Sequence, residues 1–139
     1  MSFLSPTLRR ITKAVVATSL LAALAACGDP KYQPPAIVVT FDPDFPPPTT
    51  INTGAIAGIA ADVANDSKTA GVTFSCTPTS ACGSFTPPTV ASAAPTCYQA
   101  PEAIPTGGTV TVTATSVTDP TKSISAMITV ITGEGSTCQ

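Results

Sequence analysis

Gly107-Gly108-Thr109-Val110-Thr111-Val112-Thr113-Ala114-Thr115-Ser116-Val117 is the stretch on which the fold turns. Val110, Val112 and Ala114 alternate with four threonines, a period of two that puts apolar residues on one face of a strand and hydroxyls on the other. Two glycines open the run and Asp119-Pro120 closes it. The pattern then repeats, with Ile124, Ala126, Ile128 and Val130 alternating with Ser123, Ser125, Met127 and Thr129. A short turn between two such runs predicts an antiparallel hairpin over 109–117 and 123–131.

Working outward, Val72, Phe74 and Cys76 alternate with Thr73 and Ser75. Ala55 to Val63 places Ala57, Ile59, Ala61 and Val63 on one face. Its alanines also suit a helix, but Ile56, Gly58 and Ile59 argue for a strand, and Asn65-Asp66 ends the run as a turn does. Asn65-Asp66-Ser67 has the form of an N-glycosylation sequon and is read here as that turn. Ile37 to Phe41 is a β-branched run followed by Asp42-Pro43-Asp44 and Pro46-Pro47-Pro48. Proline donates nothing to a ladder, so this strand is expected to be short or to lie at an edge. Strands at intervals near ten residues with Pro, Gly and Asp at the turns predict an all-β antiparallel sandwich.

Length and composition fit one such domain. The chain has 139 residues, of which 43% are hydrophobic and only 10% charged, with 15 Pro and neither Trp nor His. Without histidine there is no Ser/His/Asp or Cys/His catalytic arrangement and no zinc site built on imidazole. Eight acids, nearly all at turns, select no facing carboxylate pair for acid–base work. The chain is therefore expected to be non-enzymatic and to need no cofactor. Asp42, Asp44, Asp62, Asp66 and Asp119 have calcium-ligand chemistry but no EF-hand spacing, and Asp beside Pro or Asn is ordinary turn chemistry. No metal site is assigned.

The N-terminus reads as an address. Arg9, Arg10 and Lys13 precede an uncharged run, 14–26, of mostly Ala, Val and Leu. That run is shorter than the roughly 20 residues a spanning helix needs, and it ends in small residues, as export signals do. Leu24-Ala25-Ala26-Cys27, followed by Gly28, resembles the lipobox of bacterial lipoproteins. The resemblance implies cleavage after Ala26, acylation of Cys27 and permanent attachment to the membrane by lipid. Gly28, rather than Asp, directly after the cysteine implies the outer membrane. Residues 28–36, Gly-Asp-Pro-Lys-Tyr-Gln-Pro-Pro-Ala, then form an extended tether of about 3 Å per residue. The expected organisation is a signal peptide over 1–26, lipidated Cys27 and tether over 27–36, and the sandwich over 37–139.

Once 1–26 are removed, three lysines stand against eight acids, a net charge of −5. Such a chain has no footprint for nucleic acid and no polybasic patch for anionic lipid. Cys76, Cys82, Cys97 and Cys138 remain, an even number that reads as disulfides in an exported chain and allows three connectivities. The turn-prone stretch Thr77-Pro78-Thr79-Ser80-Ala81 favours Cys76 with Cys82, leaving Cys97 with Cys138. A four-cysteine metal site is the competing reading, and the spacing lacks any C-x-x-C pair.

The ordered series Ala61-Asp62-Val63-Ala64-Asn65-Asp66, Gly71-Val72-Thr73-Phe74-Ser75-Cys76, Cys82-Gly83-Ser84-Phe85-Thr86-Pro87, Tyr98-Gln99-Ala100-Pro101 and the 107–116 run, ending in Asp119-Pro120-Thr121-Lys122-Ser123, resembles the bacterial immunoglobulin-like domains of cell-surface proteins. The likeness covers roughly residues 37–132. It implies an immunoglobulin-like sandwich and a role in adhesion or protein interaction, the partner being an envelope or extracellular protein or glycan. A structural spacer or periplasm-facing accessory subunit is the alternative. Phe74 stands where these domains often carry Trp, implying a smaller core plug, and Cys97 replaces a common polar residue, in keeping with a clamp to Cys138. Tyr98 is expected to pack inside the sandwich.

Overall fold

A computed structural model describes residues 33–133, which contain ten strands and no helix. The strands are β1 (Val38–Phe41), β2 (Thr50–Asn52), β3 (Ile56–Ile59), β4 (Ala61–Ala64), β5 (Val72–Thr77), β6 (Ser84–Thr86), β7 (Thr89–Val90), β8 (Thr96–Gln99), β9 (Thr109–Ser116) and β10 (Ser123–Ile131). The expected signal peptide, the lipobox and Cys138 lie outside the described residues, as do residues 28–32 of the expected tether.

The hairpin forms as the alternation predicts. β9 and β10 pair antiparallel from Thr115 opposite Ser123 to Thr109 opposite Thr129. They are the centre of a five-stranded sheet ordered β2-β10-β9-β5-β7. A second sheet runs β3-β8-β6, and β1 pairs with β4. The run expected as a single strand over 55–63 is divided at Ala60, which is paired to the side: its N–H donates to Phe45 O at 2.9 Å and its carbonyl accepts from Asp42 N–H at 3.0 Å. β3 and β4 are thus successive halves of one extended segment, joining the two smaller sheets into one layer ordered β1-β4/β3-β8-β6. Two such layers, with this strand order, make an immunoglobulin-like sandwich.

Pro46-Pro47-Pro48 explains how the first strand is shared between layers. β1 pairs antiparallel with β4 in one layer. Past the prolines, which cannot continue that ladder, β2 pairs parallel with β10 in the other layer. Thr129 N–H donates to Thr49 O at 3.0 Å and Thr53 N–H to Ile131 O at 2.9 Å, fastening the crossing chain.

The inward positions of both layers form one core that includes Val39, Ile51, Ile59, Val63, Val72, Phe74, Tyr98, Val110, Val112, Ala114, Ile128 and Val130. Burying a Val, Ile or Phe side chain contributes about 1.5–3 kcal/mol. Phe74, Phe85 and Tyr98 form a column across the layers, with ring centroids 5.5 and 5.0 Å apart. Phe74 is buried at one end of this column, and Tyr98 at the other end is the largest side chain with no exposure. Among the described residues no buried side-chain nitrogen or oxygen lacks a hydrogen-bond partner.

Candidate functional site

Three places bring chemistry-bearing side chains together. The first is the loop 77–83, which doubles back so that Cys76 and Cys82 form a disulfide with Cα atoms 5.7 Å apart. Gly83 follows in the left-handed region with φ +92°, and a Cβ there would collide with Gln99 O. Only glycine lets the loop re-enter β6 this close to β8. Cys97, on β8 between Gly58 and Thr86, is also disulfide-bonded. Its expected partner, Cys138, lies outside the described residues. An open groove of about 370 Å³ runs beside the loop between residues 79–84 and 99–102. Glu102 is its one titratable side chain, so the groove has no second group with which to move a proton.

A second gathering ties two turns together. Asp66 Oδ1 accepts from Thr118 Oγ1 at 2.7 Å and from Lys68 N–H at 3.0 Å, and Oδ2 accepts from Ala70 N–H at 3.0 Å. The Thr118 hydrogen bond, with those from the backbone, holds the Asp66 carboxyl below its ordinary 3.8. Asp119 is likewise lowered, first by the Thr121 hydroxyl at 2.7 Å. Asp42 Oδ1 accepts from Asp44 N–H at 2.7 Å, and Asp62 sits on β4 opposite Thr40. These aspartates are turn and strand residues, and among the described residues no three His, Cys, Asp or Glu side chains converge on a metal position. Sequence separation hides the Asp66–Thr118 contact, which spans 52 positions.

The third is the outer face of the five-stranded sheet. Register sets side chains in rows across it: Thr50-Thr129-Thr109, Met127-Thr111-Thr77, Ser125-Thr113-Ser75, and Ser123-Thr115-Thr73-Thr89. Thr113 and Ser125 hydroxyls meet at 2.8 Å and those of Thr73 and Thr89 at 2.9 Å. No charged residue stands in these rows. Met127 rises from this face with 67% of its surface exposed, and Ile131 with 43%. The alternation of Thr109 to Thr115 marked the hydroxyl side in advance; that four further strands extend it into one uncharged surface follows from the pairing.

No helix among the described residues is long and apolar enough to cross a membrane. The chain matches no protein-family model and no curated protein.

Proposed function

We propose that this is a non-enzymatic, lipid-anchored protein of the cell envelope whose immunoglobulin-like sandwich is an adhesion or protein-interaction module. Cys27, at the end of Leu24-Ala25-Ala26, carries the anchor. Two or three acyl chains, each buried CH₂ contributing about 0.8 kcal/mol, hold such a protein to a bilayer stably. Gly28 after the cysteine supports the outer membrane as its location. The partner is an envelope or extracellular protein or glycan.

The observation that carries the interaction half of the reading is the uncharged hydroxyl face with Met127 projecting from it. A partner can be laid against that sheet without desolvating a charge. A second reading, a passive spacer or accessory subunit, is favoured by the scattering of the other exposed apolar side chains. Val38, Phe45, Ile104 and Val117 are exposed on four different segments of the chain.

Epitope labelling tests the proposal, with a tag placed after Gln139 and a periplasmic control protein in the same cells. Labelling of intact cells is the expected result for adhesion, whereas labelling only after permeabilisation supports the accessory subunit. Cys27→Ala is expected to move the protein from the membrane to the soluble fraction; continued sedimentation with membranes would sink the lipid anchor.

A further inference from the structure

β10 is the longest strand, and one of its edges is half uncovered. Its backbone directions follow from four hydrogen bonds. Val130 N–H donates to Gly108 O at 2.8 Å and Ser116 N–H to Lys122 O at 3.0 Å, so the even-numbered residues of β10 turn their polar groups toward β9. Thr129 N–H donates to Thr49 O and Ile131 O accepts from Thr53 N–H, so the odd-numbered residues turn theirs to the opposite edge. On that edge β2 covers only Thr129, Val130 and Ile131. Among the described residues no strand pairs with the remainder, where Ser123, Ser125 and Met127 present their N–H and C=O groups and are all exposed. Such edges are usually blunted by proline, a bulge or an inward charge, and 123–131 has no proline and no charge.

The uncovered groups are symmetric about Ser125. We propose that β10 pairs antiparallel with β10 of a second copy of this chain, Ser125 opposite its counterpart and Ser123 opposite Met127 in both directions. The register places each odd residue in a hydrogen-bonded pair that exchanges N–H···O=C bonds both ways, so every uncovered edge group finds a partner. On the inner side the half-buried Ile124 and Ala126 of one copy lie against Ala126 and Ile124 of the other, removing apolar surface from water. On the outer side the rows of hydroxyls continue across the junction. A strand with no charge over this length meets no like charge when it pairs with itself, and a two-fold contact of this kind closes on itself as a dimer. A contact of one short edge falls at the small end of interface sizes, and the dimer is weak, in the micromolar to millimolar range.

Sedimentation equilibrium of the full chain in detergent solution tests this. The wild-type mass is expected to rise with concentration toward that of a dimer. Ser123→Lys with Met127→Lys puts two lysines opposite each other twice and is expected to weaken association roughly tenfold or more. Ser123→Lys with Met127→Glu instead sets each lysine opposite a glutamate and is expected to dimerise at least as tightly as wild type. Ser125→Lys, at the two-fold centre, gives an independent disruption at an exposed position. The proposal is overturned by a wild-type chain that stays monomeric to millimolar concentration, as it would if the edge served a different partner. Indifference to the double-lysine change, or equal loss with the Lys/Glu pair, overturns it as well.

Discussion

Tyr98 shows what one residue does in this core. Its ring is fully buried against Phe85, and its hydroxyl donates to Cys82 O at 2.6 Å. One side chain therefore joins β8 to the end of the disulfide loop, combining aromatic packing with a satisfied polar tip. Tyr98→Phe keeps the ring and removes the donor, and is expected to cost about 1–2 kcal/mol, lowering the thermal midpoint by several degrees. Burial pushes the hydroxyl up to about 12, from 10.0. A folded value above the unfolded one means that the unfolded chain releases its proton first, so stability falls as pH rises from 10.0 toward about 12. Tyr98→Phe is expected to flatten that alkaline decline, measured as thermal midpoint against pH.

At the scale of the elements, strands stay in place because their connections are fastened. The turn after β4 and the turn after β9 are joined by Asp66 and Thr118, while Gly71 at φ +83° lets the chain pass Val90 O, where a Cβ would collide. The lowered carboxyls of Asp66 and Asp119 make this end of the sandwich sensitive to acid. Their folded values lie below the unfolded one, so the stabilisation is present above 3.8 and is lost as pH falls through the folded values. The expected curve of thermal midpoint is flat near neutrality and drops below about pH 4. Asp66→Asn is expected to reduce the drop, with Asp119 supplying what remains. Prolines act in the opposite sense, ending β1 and sending the chain to the other layer.

For the whole molecule the disulfide matters because a small sandwich has little core to spare. Closing the loop from Cys76 to Cys82 contributes about 2.4 kcal/mol in the chain-entropy description. Replacing both cysteines by Ala is expected to lower the unfolding free energy by that order, read as a lower urea midpoint at nearly the same slope. A changed slope would mean that the compactness of the unfolded or the folded chain had changed as well. Much of this architecture is written locally along the chain. Thr109 to Ser116 and Ser123 to Ile131 declared their strands, faces and pairing, since alternation reports directly which side of a strand is buried. The short β1 followed from its prolines, and Cys76 with Cys82 followed from proximity along the chain. Ala60 was less legible: Ala55 to Val63 alternates without a break, and the interruption exists because Phe45 and Asp42 bond there from a different segment.

Local periodicity and turn chemistry by themselves determined that this protein is an all-β sandwich and which residues face its core. Those properties depend on neighbours within a few positions, so they are written along the chain. Tertiary structure alone decided that β2 runs parallel to β10, that Asp66 meets Thr118, that hydroxyls from five strands share one surface, and that Ser123, Ser125 and Met127 are left on an open edge. Each of these depends on which strands become neighbours, and that choice is made by the summed burial of two layers, not by any segment in isolation.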